Sequence, residues 1–363
     1  MINNKRTLSS AIAFAIHSWS NNTQNIAENI LTEVNHKKII TELVLNLNLN
    51  LSNWNDADLN NLDEQMKQSC EYIINHDSFV VVMDCDSTVI WSKKWKSWEL
   101  ITTWEWLTDA AFALEKRLSN NNISLEVDQI AQETMSKDWA VFADSLDSRF
   151  SIFMEYWLTK DDVLSWATEA ILADWFSDYI KLKDWLKEKQ NLDFEQFFFL
   201  SWGFREMLET VLEKVIWEER TKKLIFSNEF KYDDDWIVIW WDRKKSLMYS
   251  QTAKKDMVEK LREEWKIPSW LNVSGLWDGS NDISMSDDNL FVAFTGVQRR
   301  EEVVKKSSGV EAIDFYEASV FHTSPKDREL ILKDAPEDIK NILNKWITSL
   351  ENRIKWLNIK NWF

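Results

Sequence analysis

Two carboxylates one residue apart are the first feature of this chain that could do chemistry. They stand in Asp84-Cys85-Asp86, followed by Ser87 and Thr88. Directly before them runs Phe79-Val80-Val81-Val82-Met83, an apolar, β-branched stretch that reads as a buried strand. In open α/β sheets the C-terminal ends of strands are where ligands bind. Strand alternation carries Asp84 and Asp86 to the same side of the turning chain, with Cys85 between them. Two anions that close repel, so the pair requires a cation or a shared proton nearby. The same residues also suit a solvated acidic turn, which is common after strands in α/β proteins. The rest of the chain decides between these readings.

The elements that must position the pair can be read from apolar runs. Phe197-Phe198-Phe199-Leu200-Ser201 is a second buried strand, and a helix follows over Arg205 to Val215. Short strands are expected at Leu224 to Phe226, Ile237 to Ile239, Leu271 to Leu276 and Leu290 to Phe294, with an amphipathic helix over Asp256 to Glu264. This alternation implies a doubly wound parallel sheet. Residues 91–190 carry helical periodicity and no buried strand, which reads as an all-helical insertion. Residues 1–77 read as a helical N-terminal extension and 316–363 as a C-terminal helical one; 78–90 and 191–315 remain as the α/β core.

Asp84-Cys85-Asp86-Ser87-Thr88-Val89 resembles the DxDST-V signature of the haloacid dehalogenase superfamily, in its phosphoserine phosphatase branch. Three further segments match that family in order. Leu200-Ser201-Trp202-Gly203-Phe204-Arg205 resembles L-S-G-G-F-R, Lys254 in Thr252-Ala253-Lys254-Lys255-Asp256 matches the motif lysine, and Trp277 to Met285 resembles G-D-G-x-N-D-I-S-M. Lys255 is the neighbouring alternative to Lys254. Four ordered motifs in strand context are far more specific than one.

The resemblance implies a phosphomonoesterase with a helical cap at 91–190. Asp84 is then the nucleophile, forming an aspartyl-phosphate, and Asp86 the general acid and base. Ser201 and Lys254 would bind the phosphoryl oxygens. Mg²⁺ would be held by Asp84, the Asp86 backbone carbonyl and Asp278. Asp282 would support Lys254 and the metal's waters, and Gly203 and Asn281 would lie beside substrate.

A cap pattern points to the substrate. Glu133-Thr134-Met135, Phe142, Ser145-Leu146 and Arg149 resemble the branch's E-A-M, F, S-L and R, with one extra residue before the Phe. Met135 and Phe142 would wall the pocket, and the planar fork of Arg149 suits a substrate carboxylate. The family's ammonium-binding Glu would fall at Lys93; Glu99 stands further along the same segment and could take its place. The resemblance implies O-phosphoserine as substrate. Another small phosphomonoester, a phosphoamine or nucleotide, is the alternative. It covers about residues 79–315.

Composition sets the remaining bounds. A net charge of −17 argues against a nucleic-acid partner. Two cysteines give no disulfide framework and four scattered histidines no zinc site. No apolar run approaches the ~20 residues of a membrane helix. The run Leu8 to Ile16 lacks a small-residue cleavage site and reads as a first amphipathic helix. The expectation is a cytoplasmic monomer or homodimer acting on a small phosphomonoester.

One anomaly remains: 23 Trp against 5 Gly. Average usage would give roughly 25 Gly in a chain this long. Many Trp sit where turns favour Gly, as in Ser18-Trp19-Ser20, Asn53-Trp54-Asn55, Asp235-Trp236 and Glu264-Trp265-Lys266. The composition implies that many of these positions are glycine in the functional protein, through a UGA codon read as glycine. Trp202 and Trp277 fall inside the motifs, where an indole is expected to strain the backbone and crowd a phosphate. If both are genuine, a non-catalytic binding protein becomes the competing reading.

Overall fold

The computed structural model describes residues 79–93, 100–101, 106–119, 122–135, 142–168, 170–242, 246–247, 252–279, 285–287, 291–296, 300–307, 311–343 and 345. The N-terminal extension 1–77, the final stretch from 346, and the expected site residues Glu99, Asn281 and Asp282 lie outside these residues.

In chain order the elements are β1 (Phe79–Met83), β2 (Ile90–Lys93), β3 (Leu100–Ile101), α1 (Trp106–Leu118), α2 (Ile123–Met135), α3 (Phe142–Glu155), α4 (Lys160–Ala167), β4 (Ile171–Leu172), α5 (Phe176–Lys189), β5 (Phe197–Phe204), α6 (Arg205–Leu212), α7 (Glu218–Leu224), β6 (Ile225–Asn228), β7 (Phe230–Tyr232), β8 (Val238–Trp241), α8 (Ala253–Glu263), β9 (Asn272–Trp277), β10 (Phe291–Phe294), α9 (Glu301–Lys306), β11 (Glu311–Ala312), α10 (Phe315–Phe321) and α11 (Pro325–Asp334). The main sheet has the order β11-β10-β9-β1-β5-β6. The pairs β9–β10, β10–β11 and β5–β6 are parallel. This is the α/β sheet that the strand–helix alternation implies. Every residue of β1 is buried, as a β-branched run covered on both faces should be.

The chain divides into two compact units. The first holds Val82–Ala173 and Phe197–Ile267. Its aromatic core is centred on Phe150 of α3, whose ring lies 5.7 Å from Phe204 and from Phe230 and 5.9 Å from Phe153. Phe204 and Phe230 stack at 3.9 Å. The expected insertion is helical over α1 to α4, but it is not all-helical. A small antiparallel sheet, β3-β2-β4, belongs to it. Its strands are four, two and two residues long, too short to leave a periodic signal.

Among the described residues, the second unit holds 79–81, Asp174–Gln196 and the stretches from Pro268 onward. Helix α5, assigned by sequence to the insertion, packs here on α10, with Phe176 4.9 Å and Tyr179 5.3 Å from Phe315. The buried ammonium of Lys183 donates to the His322 carbonyl. Ser324 caps α11 by accepting the Asp327 N–H at 3.1 Å, with Pro325 at the first helical turn.

The backbone tests the tryptophan anomaly directly. The described non-glycine residues with positive φ are Ser87, Ser119, Trp157, Trp175, Asn191, Trp236 and Trp265. Trp157 and Trp265 each close a helix: Trp157 N–H donates to Met154 O and Leu158 N–H to Phe153 O, and Trp265 and Lys266 repeat the pattern on Arg262 and Leu261. In this C-terminal motif the left-handed position favours Gly, or Asn as at Asn191. Both indoles are exposed, at 63% and 77%, so little burial offsets the backbone cost. Trp236 and Trp265 therefore meet the sequence expectation, while Trp19 and Trp54 lie outside the described residues. Trp157→Gly and Trp265→Gly should each raise unfolding free energy by about 1 kcal/mol, against the usual direction for glycine. Urea denaturation checks this, with Trp270→Gly as control: Trp270 is 74% exposed but not left-handed, and its loss should not stabilise.

Candidate active site

The loop after β1 is wound around one carbonyl. The N–H groups of Thr88, Val89 and Ile90 all point to Cys85 O, at 3.3, 2.9 and 2.8 Å. Ser87 takes the left-handed conformation that so tight a turn demands. Cys85 N–H donates to Asp84 Oδ1 at 2.9 Å, fixing that carboxylate at the strand's end. Asp84 is buried, and Asp86 is half-buried.

A cation meets this pair. Lys254 stands in the first turn of α8, so the helix begins earlier than the sequence suggested. Its ammonium is buried and lies 3.4 Å from Asp84 Oδ1. The Trp202 ring also lies 5.3 Å from it. Burying an ammonium is costly without a compensating partner, and Asp84 supplies an anion for this one. The Cys85 thiol registers the local field. Burial pushes its pKa well up, the charges of Asp84 and Asp86 push it further, and Lys254 and the Ser201 hydroxyl oppose them. The thiol is thus held neutral.

Strand β5 delivers the next groups. Its ladder with β6 pairs Phe199 with Ile225 and Leu200 with Phe226, then resumes only at Phe204 with Asn228. Ser201, Trp202 and Gly203 bulge out between. Ser201 is buried, and its Oγ accepts the Gly203 N–H at 2.9 Å. A Cβ on Gly203 would lie 3.2 Å from both Asp86 Oδ1 and Ser201 Oγ. Glycine here lets the bulge close on the two oxygens. Asp84, Asp86, Ser201, Gly203 and Lys254 are therefore gathered within one unit.

The other expected residues divide. Asp278 follows β9 in the second unit, buried, with Arg300 Nη2 at 3.2 Å from its Oδ2. Met135 ends α2 and Phe142 begins α3. Arg149 is fully buried in α3, where its Nε donates to Ser145 O at 3.3 Å, and burial lowers its pKa to about 10. Lys93 ends β2. Sequence reasoning missed Arg300 beside Asp278, and it missed Asn228, a buried amide at the end of β6. A polar residue closing a buried strand was the available signal for Asn228.

The motif tryptophans correct the sequence expectation. Neither Trp202 nor Trp277 has positive φ; both are strand residues. Trp277 is fully buried, folds back over Gly275 and stacks on Phe291 at 5.3 Å. A Cβ at Gly275 would fall 1.9 Å from the indole, so that glycine makes the room. Trp202 is half-buried and donates from Nε1 to Leu247 O at 3.2 Å. The backbone-strain argument thus fails at these two positions and holds at Trp157, Trp175, Trp236 and Trp265.

Among the described residues no cluster of three or more His, Cys, Asp or Glu is arranged around a common metal position, and no helix is long and apolar enough to cross a membrane. No protein-family model matches the chain, and no curated protein does. Solved structures do. A phosphoserine phosphohydrolase-like protein from Francisella tularensis is 21% identical, with a TM-score of 0.45, over 66% of this chain and 98% of that one. A probable phosphoserine phosphatase from Vibrio cholerae is 14% identical, with a TM-score of 0.46, over 68% of this chain and 64% of that one. A cytosolic 5'-nucleotidase IIIB bound to cytidine is 12% identical, with a TM-score of 0.40, over 75% of this chain and 93% of that one.

The neutral, enclosed thiol has a direct test. In the folded protein Cys85 should resist iodoacetamide at about pH 8, where an ordinary exposed thiol reacts readily. Peptide mass spectrometry reads the outcome; alkylation at the rate of the urea-unfolded chain would mean that the Asp84–Asp86 loop is open.

Proposed function

We propose that the chain is a Mg²⁺-dependent phosphomonoesterase acting through an aspartyl-phosphate, with O-phosphoserine as its substrate. The observation that carries the reading is the gathering of Asp84, Asp86, Ser201 and Lys254 at one strand end, with the Lys254 ammonium 3.4 Å from Asp84. A carboxylate nucleophile, a carboxyl acid/base, a hydroxyl donor and a fixed cation are what phosphoryl transfer from a monoester requires.

The donor set fits magnesium. The donors that the resemblance implies, Asp84, the Asp86 carbonyl and Asp278, are all oxygens, few in number, with room in the scheme for waters. Only two of them are acidic side chains, so the absence of a denser acidic cluster among the described residues is no obstacle. Asp278 enters through its sequence motif. When bound, the metal supplies charge neutralisation for the phosphoryl oxygens.

The chain's own residues perform the steps. The Asp84 carboxylate attacks phosphorus as the ester P–O bond breaks, and the Asp86 carboxyl gives its proton to the departing serine oxygen. Water then attacks the aspartyl-phosphate, Asp86 takes its proton, and the bond to Asp84 breaks to release phosphate. Lys254 and Ser201 hold the phosphoryl oxygens through both steps. Arg149 would receive the substrate carboxylate; an anion brought against a buried guanidinium offsets its desolvation.

Two substitutions test this. Asp84→Asn should keep the fold by circular dichroism and lose at least about three orders of magnitude in kcat. Near-normal turnover would end the mechanism. Arg149→Ala should lower kcat/KM for phosphoserine by about 2–4 kcal/mol and affect an aryl phosphate much less. Equal losses on both substrates would make Arg149 structural and favour another small phosphomonoester.

A further inference from the structure

The β5–β6 ladder shifts register between Leu200 and Phe204, and the Trp202 and Gly203 carbonyls fall inside that shift. Buried carbonyls need donors. The Asn228 side chain supplies them: its Nδ2 donates to the Trp202 carbonyl and to the Gly203 carbonyl at 3.4 Å. Asn228 is fully buried, and its own Oδ1 accepts the Ser246 hydroxyl at 2.6 Å. The two backbone carbonyls can only accept, so they fix which end of the carboxamide is the donor, and the Ser246 hydroxyl adapts to the other end.

A peptide unit is planar, with its carbonyl and N–H pointing in opposite directions. Holding Trp202 O therefore aims the Gly203 N–H the other way, and there it meets Ser201 Oγ at 2.9 Å. Holding Gly203 O likewise sets the direction of the Phe204 N–H. A relay results: Ser246 hydroxyl, Asn228 carboxamide, 202–203 peptide, Ser201 hydroxyl. Because it runs through the backbone, it does not depend on whether position 202 is Trp or Gly. Bulges beside active sites serve to re-aim groups, and this one has a dedicated side chain holding it.

We propose that Asn228 is a positioning residue for phosphate recognition, acting through the 202–203 peptide to set the Ser201 hydroxyl and the amides behind it. This rests on the phosphatase reading for its consequence, but the clamp itself does not. Asn228→Asp keeps the shape and removes the donors; Asn228→Ala removes both; Ser246→Ala loosens the carboxamide only.

Amide hydrogen exchange tests the clamp. Peptides covering 201–204 should exchange faster in Asn228→Asp and Asn228→Ala, and to a lesser degree in Ser246→Ala, with the rest of the sheet unchanged. Unchanged exchange there overturns the proposal. Turnover tests the consequence. With Mg²⁺ and phosphoserine, the Asp variant should lose on the order of 10–100-fold in kcat/KM, as supporting-residue changes do. The inhibition constant of inorganic phosphate should rise on the order of tenfold, which a smaller folded fraction would not cause. Faster exchange with normal turnover and normal phosphate inhibition overturns the positioning role. If wild-type protein hydrolyses no phosphomonoester, the phosphatase reading fails, and exchange still decides the clamp. If Asn228→Ala does not fold, Asn228→Asp and Ser246→Ala carry both measurements.

Discussion

The first unit is arranged around one electrostatic problem: two carboxylates at the end of a buried strand. Asp84 and Asp86 cannot both stay ionised there without a counter-charge. Lys254 provides one, and its own burial makes the dependence mutual. Breaking such a pair by removing one partner costs far more than the pair contributes. Each neighbouring element then has a constrained task. β1 anchors the aspartates through an uninterrupted buried run, and the Cys85 carbonyl turns the chain by taking three N–H groups. Helix α8 brings its N-terminal turn to the same place, adding the positive end of its backbone dipole to the lysine charge.

The bulge in β5 answers a different requirement. A regular strand would place Ser201 and Gly203 on the same face, with every backbone group committed to the ladder. Interrupting the ladder frees the peptides around 202 and 203, lets Gly203 approach Asp86, and brings its N–H onto Ser201 Oγ. The Trp202 and Gly203 carbonyls inside the shift both accept from the Asn228 carboxamide. Glycine at 203 and asparagine at 228 are thus two halves of one solution: close approach on one side of the bulge, hydrogen-bond compensation on the other.

What the sequence revealed follows from how local each signal is. Asp84, Asp86, Ser201 and Lys254 were legible because each adjoins a strong element: a β-branched run, a phenylalanine run, an amphipathic helix. The sheet was legible for the same reason. Strands β2, β3 and β4 were not, because two to four residues carry no period. The placement of α5 was not, since its partner α10 lies more than a hundred residues on and only tertiary packing joins them. Asn228 was hidden because its role depends on a register shift in a neighbouring strand. The depth at which Arg149 sits was hidden too, since a motif gives an arginine's position but not its burial.

The tryptophans show why composition and conformation must be read together. An excess of Trp over Gly suggests replacement everywhere, but the backbone separates two groups. At Trp157, Trp175, Trp236 and Trp265 the chain adopts left-handed geometry; at Trp157 and Trp265 the indole is also largely exposed, while Trp175 stacks on Tyr316 and Trp236 lies under the Lys160 ammonium, contacts that offset part of the backbone cost. At Trp202 and Trp277 the backbone is extended, and both indoles find surroundings: a carbonyl for one, a slot above Gly275 for the other. Strain therefore identifies glycine positions at turns and helix ends but is silent inside strands. Within β5 and β9 the case for glycine rests on motif resemblance alone. On the phosphatase reading proposed above, an indole at 202 bears on the site through Lys254, which the same ring and Asp84 both approach. A ring 5.3 Å from that ammonium would then compete with a phosphoryl group for it, and glycine at 202 would remove the competitor.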